Sequence, residues 1–267
     1  MEMGIGTGVE MAGVSLRPKQ RPLAQHGSSE GDIRKAMQQV LGRPEVAFKS
    51  PQQERAMHAI LRGQTPLVVV LPTGGGKSLL FTVPACMPNP GVTIVVVPFR
   101  ALIGDMLERI RGAGVECMEW KYEDRSPASI VVVSADIAGG SSFLTYALTM
   151  QGSGLLRRVV VDECHLVITS SDWRPKLAKI KNLRILRCPI VLLTATLPPV
   201  LEDVLAEDMN ISLATYIRAS TVRPNTRYAV TVHPPRSLEK DVLEVCRRAA
   251  RRMARGGKGI VYSKSKV

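Results

Sequence analysis

Short runs of consecutive apolar residues dominate the pattern of this chain: LVVVL (67–71), VTIVVV (92–97), SIVVVS (129–134), RRVVVD (157–162) and IVLLT (190–194). Runs of this length, rich in Val and Ile and without alternation, predict strands buried on both faces, as in parallel sheets covered by helices. Helical spacing fills stretches before and between them. Ile33, Met37, Val40 and Leu41 recur at helical intervals until Gly42 and Pro44 stop the pattern, and a second helix is expected from about Gln52 to Leu61. The pattern predicts an α/β fold of three layers, a parallel sheet sandwiched by helices.

Residues 1–29 are rich in Gly, Ser, Pro and Gln, show no apolar period, and are expected to form a disordered lead-in. After Leu213 the pattern changes. VRPNTRY (222–228) reads as a linker into a strand at about 228–232. A basic helix follows from Ser237 to about Arg255, with an apolar face that would pack on its own lobe, and then a strand, GIVYS (259–263). The expected organisation is an α/β domain over 30–213 and, over 214–267, a linker with the incomplete start of a second such domain. The residues after Leu213 are too few for a complete one.

Composition narrows the class. The chain has 267 residues, 45% of them apolar, enough to bury a core; at 4% aromatic, that core leans on Val, Leu, Ile and Ala. No apolar stretch approaches the roughly 18 residues of a membrane span. The start, MEMGIGTGVEMAG, has no basic segment and carries acidic residues, against a secretory signal. Cys86, Cys117, Cys164, Cys188 and Cys246 are odd in number and scattered. That argues against a disulfide framework or zinc site and for a reducing, intracellular setting. The net charge of +13, from 36 basic and 23 acidic residues, suits a polyanionic partner such as nucleic acid, although a solvated basic surface gives the same sum.

Candidate chemistry gathers at the ends of the apolar runs. LVVVL leads into PTGGGKS (72–78), a glycine-rich turn ending in Lys-Ser. Glycines there let successive amides point at phosphates. Thr73, Gly74, Gly75 and Gly76 form the cradle, Lys77 reaches the β- and γ-phosphates, and Ser78 can ligate Mg²⁺ at a helix start. Leu71 stands where the usual pattern has its first glycine. RRVVVD runs into Asp162-Glu163-Cys164-His165, placing Asp162 to hold Mg²⁺ and Glu163 to orient or deprotonate the attacking water. His165 beside the acidic pair is a coupling candidate. Thr194 and Thr196, at the end of IVLLT, carry hydroxyls that can relay the state of the carboxylates. Together these features point to an NTP-handling enzyme.

The loop PTGGGKS, the box DECH and LTATLPP resemble superfamily 2 helicases, and further segments resemble the RecQ-like DNA helicases. FKSPQQERAMHAIL (48–61) is similar to that family's nucleotide-specificity motif. Gln52 stands at the adenine-reading glutamine and Lys49 where the family has arginine, and a lysine lacks the planar guanidinium for stacking. VVVPFRALIGDM (95–106) resembles the first DNA-contacting motif, with Arg100 and Asp105 at matching places. STVRPNTRY (220–228) and GIVYSKSK (259–266) resemble the segment between the two motor lobes and the opening of the second lobe. The resemblance implies a RecA-like lobe with a truncated second one, ATP and Mg²⁺ as cofactors, single-stranded or partly duplex DNA as partner, and ATP-dependent 3′-to-5′ translocation. It also implies a nuclear, chromosomal location in a eukaryotic source.

Departures sharpen these expectations. The aromatic loop that senses single-stranded DNA in the family reads LVITSSDWRP here, shorter by one residue, with Ser170 in place of a tryptophan. Trp173 and Arg174 are what remain for stacking and charge contacts, and Trp173 can equally be a core residue. The second lobe's phosphate-reaching arginine has no counterpart before Val267. The chain is therefore expected to bind nucleotide, turn it over slowly and unwind nothing by itself. An ATP-gated nucleic-acid-binding module, a decayed copy and an RNA helicase of the wider superfamily stand as alternatives.

Overall fold

The computed structural model describes residues 29–169, 174–222, 225–227, 230, 232, 238–252 and 257–260. The expected lead-in, save Ser29, lies outside them, as do Ser170, Trp173 and most of the expected strands at 228–232 and 259–263.

All five apolar runs form strands: β1 (Leu67–Val70), β2 (Val92–Val97), β4 (Ile130–Ser134), β5 (Leu156–Val161) and β6 (Ile190–Thr194). Two strands that the pattern does not announce, β3 (Cys117–Glu119) and β7 (Thr215–Arg218), complete a seven-stranded sheet in the order β3-β4-β2-β5-β6-β1-β7. Every pairing is parallel. Alternate residues of a strand face opposite layers. Leu67 and Val69 of β1 join the core beneath α1 (Glu30–Leu41), α2 (Pro51–Leu61), α3 (Leu79–Ala85) and α4 (Ile103–Gly112). Val68 and Val70 join the opposite core, with residues of α5 (Ala135–Ala138), α6 (Ser141–Gly152), α7 (Leu166–Thr169) and α8 (Glu202–Asp208).

Strand order positions the site. The chain passes from β1 to β2, crosses to the edge strand β3, comes back to β4 between β3 and β2, and then inserts β5 and β6 between β2 and β1. The ends of β5 and β6 thereby arrive beside the turn that follows β1, although they lie far along the sequence.

The first compact unit reaches Val222, beyond the boundary expected at Leu213, because β7 pairs with β1 from Leu67↔Thr215 to Val70↔Arg218. In the unit from Arg223 onward, the expected basic helix is α9 (Leu238–Arg252). Its Val242, Leu243 and Val245 are exposed.

One further element matters for function. Pro175–Ile185 is a 3-10 helix, and its Leu177, Ile180 and Leu183 are buried at three-residue spacing, the period of that helix. It presses on α5 so closely that a Cβ on Gly139 would overlap the Lys179 carbonyl. Gly139→Ala should therefore force the two segments apart and lower stability by about 1–3 kcal/mol in denaturant unfolding.

Candidate nucleotide site

Beyond Leu71 the backbone turns through Pro72–Ser78 into α3. Gly74 and Gly76 adopt φ of 78° and 79°, a region that favours glycine. The Gly75 amide donates to the Pro72 carbonyl at 2.8 Å. Two side chains from the preceding segment grip this turn. Lys49 Nζ donates to the Gly74 carbonyl at 2.8 Å, and Gln53 Nε2 donates to the Gly76 carbonyl at 3.0 Å. Gln53 Oε1 in turn accepts from the Lys49 amide at 2.7 Å, so the two grips are joined. A Cβ at Gly76 would strike the Gln53 amide.

Gln53 was not among the residues singled out in sequence; the adjacent Gln52 was, and it is half-buried on α2. A signal for Gln53 existed: it shares spacing with Ala56, Met57 and Ile60, which are all buried. A fully buried glutamine on an apolar stripe must find polar partners.

Lys77 Nζ donates to the Leu71 carbonyl at 3.3 Å, within the arc of the turn. Thr73 and Ser78 are exposed at its mouth, Ser78 at the start of α3. Lys49 borders two cavities. One of about 710 Å³ is lined by Arg34, Phe48 and Glu54; another of about 240 Å³ is lined by Gly76, Ser78 and Arg109.

The acidic turn is suspended from neighbouring strands. The Asp162 amide donates to Val96 of β2, and the Cys164 amide to Leu193 of β6. Glu163 sits at φ 49°, an uncommon conformation for a side-chain-bearing residue. Its amide donates to Asp162 Oδ1 at 3.1 Å. His165 Nδ1 lies 2.9 Å from Thr194 Oγ1 and 3.4 Å from Glu163 Oε2. Thr194 Oγ1 also accepts from the Thr196 amide at 3.1 Å. Glu163, His165, Thr194 and Thr196 thus form one polar chain from the carboxylate to the surface.

The two carboxylates are held differently. Burial and the neighbouring Glu163 charge push Asp162 up to about 6, against the pull of Lys77 and Arg109. Glu163 is held below its ordinary value, chiefly by the hydrogen bond with His165 and next by the charge of Lys77, with burial opposing. Among the described residues no group of three or more His, Cys, Asp and Glu could hold a metal by itself. One or two protein oxygens are what Mg²⁺ takes when phosphate oxygens complete its shell. Ser78 and Asp162 fit that demand.

Of the candidate nucleic-acid residues, Arg100 lies in the turn after β2 and Arg174 directly before the 3-10 helix. The Arg100 side chain is 80% exposed, with Nε 3.8 Å from Glu119 Oε1. Arg174, the other charge candidate, is engaged within the protein. Its Nη2 donates at 2.8 Å to both the Pro98 carbonyl and Asp136 Oδ1, and the guanidinium lies 4.9 Å from the Phe99 ring centre. It braces the loop after β2 against α5. Trp173 lies outside the described residues.

The profile of the DEAD/DEAH box helicases matches residues 50–204, a span that includes the phosphate turn, the acidic turn and Thr194–Thr196. The chain belongs to this family. Membership implies ATP use, usually with Mg²⁺. Curated relatives of this helicase domain are RecQ-like. It is 32% identical over 205 residues to the ATP-dependent DNA helicase Q5 of Rattus norvegicus, covering 70% of this chain and 21% of that protein. It is 28% identical over 216 residues to the RecQ-like DNA helicase BLM of Xenopus laevis, covering 74% and 16%. The helicase chain thus spans about a fifth of the length of such relatives. Among solved structures, the DUF1998 helicase MrfA matches with a TM-score of 0.58 at 18% identity, over 88% of this chain and 38% of that one. At that identity the likeness concerns the RecA-like fold alone.

The raised Asp162 has a measurable consequence. Its folded value of about 6 exceeds the ordinary 3.8, so the folded state binds the extra proton between those limits. Stability should fall as pH rises from about 4 to about 6 and then level off. Asp162→Asn should flatten that segment and raise stability at neutral pH by on the order of 1–3 kcal/mol, as read by unfolding at several pH values.

Proposed function

We propose that this chain carries the ATP-binding motor lobe of a RecQ-type, ATP-dependent DNA helicase that translocates 3′ to 5′ along single-stranded DNA. The carrying observation is the continuous polar chain from Glu163 through His165 and Thr194 to Thr196, beginning beside the phosphate turn. A lone nucleotide-binding turn needs no such connection. A motor does, because the state of the nucleotide must reach the surface that handles the strand.

In this reading the amides of Gly74, Gly75 and Gly76 and the Lys77 ammonium hold the phosphates. Lys77 gives one N–H to the Leu71 carbonyl at 3.3 Å, and its ammonium has two further donors for phosphate oxygens. Ser78 and Asp162 hold Mg²⁺, which when bound offsets the charge of the phosphate oxygens. Glu163, kept ionised by His165 and Lys77, orients and deprotonates the attacking water. Lys49 and Gln53 position the turn from the nucleotide-specificity segment, leaving Gln52 to read the base. Arg100 contacts the strand, and Arg174 supports that surface by fixing the loop which bears Arg100. The names of the two relatives given above, both DNA helicases, support DNA over RNA.

Two substitutions separate binding from turnover. Lys77→Ala should abolish Mg²⁺-dependent ATP binding in calorimetry. Glu163→Gln should preserve it and lower any DNA-stimulated ATPase by about 10²–10⁴-fold. Wild-type nucleotide affinity in Lys77→Ala would overturn the phosphate assignment. Nucleotide binding without stimulation by single-stranded DNA would favour an ATP-gated binding module over a motor.

A further inference from the structure

Past Arg174, a strongly basic stretch of the first unit has had no role so far. From Arg174 to Arg187 the sequence reads RPKLAKIKNLRILR, with Arg174, Lys176, Lys179, Lys181, Arg184 and Arg187 and no acidic residue. Most of it is the 3-10 helix Pro175–Ile185. With three residues per turn, side chains three apart stack in columns. Leu177, Ile180 and Leu183 make the buried column. Lys176, Lys179 and Asn182 make a second, and Lys181 and Arg184 lie in the third. Asn182 is tied down, donating to the Gly139 carbonyl at 3.1 Å. Lys176 and Lys179 are exposed and line a cavity of about 300 Å³.

The other side of that cavity is aromatic. Trp120 and Phe143 are buried, packed edge to face at 5.0 Å between ring centres. Trp120 is fixed further by donating Nε1–H to the Asp124 carbonyl at 3.3 Å. Tyr122 stands above them, 72% exposed. Exposed aromatic rings beside cations are the ingredients of a base-stacking platform with phosphate contacts. The cavity opens past the ends of β3 and β4, the same end of the sheet as the phosphate turn.

Acidic groups show from which side a polyanion could approach. Asp136 lines the same cavity but is paired with Arg174 at 2.8 Å. Glu123 and Asp124 face a separate cavity of about 480 Å³, which shares Trp120, Tyr122 and Ser142 with the first and is bordered by one cation, Arg125. The lysine side is cationic and the far side of Tyr122 is not.

We propose that Tyr122, Lys176 and Lys179 form a second contact for single-stranded nucleic acid, in which Tyr122 stacks on a base and the lysines hold the adjoining phosphates. This rests on the DNA-motor reading and extends its strand-binding surface beyond Arg100. The sequence loses aromatics from its expected sensing loop, and this platform supplies stacking from a different part of the lobe.

The test is fluorescence anisotropy of labelled oligodeoxythymidylate with the full 267-residue chain, over a series of salt concentrations. Tyr122→Ala should weaken binding by about 5- to 150-fold, the range for one stacked base. The pair Lys176→Ala and Lys179→Ala should reduce the slope of log affinity against log salt by about 1.4, at about 0.7 per phosphate contact. An oligonucleotide carrying 5-iododeoxyuridine should photocrosslink at Tyr122. All three residues are exposed, so unchanged thermal melting is expected and would confirm intact variants. Unchanged affinity and slope in these variants, with weakening in Arg100→Ala, would overturn the second contact and leave the motor reading standing. No oligonucleotide binding by the unsubstituted chain would overturn both. Binding of a polyglutamate peptide in preference to DNA, abolished by the lysine pair, would overturn it in favour of an acidic protein partner.

Discussion

The amide of Leu71 donates to the carbonyl of Thr194 at 3.0 Å, and the amide of Cys164 donates to that of Leu193 at 3.0 Å. These bonds splice the phosphate turn and the acidic turn onto the same central strand, β6. Each contributes only about 1 kcal/mol net, but an unpaired buried amide there would cost more. Their importance is geometric. They put the end of β6 between two turns that bear opposite charge, so that Thr194 can touch His165, two residues past the carboxylates. The site exists because β5 and β6 entered the gap between β2 and β1.

Adjacent carboxylates in similar surroundings would titrate alike and repel. Here the backbone separates their fates. The left-handed turn at Glu163, a conformation that costs on the order of 1–3 kcal/mol, carries it off the line of β5 toward His165 and Ala195. Asp162 remains over the strand end, where burial raises it. The strain is compensated locally: the Glu163 carbonyl accepts from Leu166, and the following cysteine is anchored on β6. A proton-binding group and a persistently ionised one thus stand side by side.

A similar economy governs the basic surface. Arg174 reads in sequence as a candidate strand contact, yet its guanidinium joins Pro98, Phe99 and Asp136. Guanidinium suits this task because its planar fork serves two acceptors at once while its face meets an aromatic ring. The effect is to couple the loop after β2, helix α5 and the start of the 3-10 helix. The lysines that follow are then presented at the same end of the sheet as Arg100. Charge that composition reports only as a sum becomes a surface with a direction.

The five central strands were legible because residues buried on both faces must be apolar throughout, and the glycine-rich and acidic turns were legible as turns because each is a contiguous segment at the end of such a run. The edge strands were not. Cys117–Glu119 and Thr215–Arg218 carry partly exposed residues and offer no apolar run to read. The 3-10 helix escaped notice because its period of three resembles neither strand nor α-helix. Gln53 escaped because a polar residue on an apolar stripe reveals its partner only in three dimensions. Local pattern by itself determined which segments are strands, which turn gathers the glycines with Lys77, and where the two carboxylates end a strand. Only the tertiary structure decided that Thr194 meets His165, that Gln53 grips Gly76 and that Arg174 faces inward. Those contacts depend on strand order and layer packing, which join residues distant in sequence and leave no periodic trace along the chain.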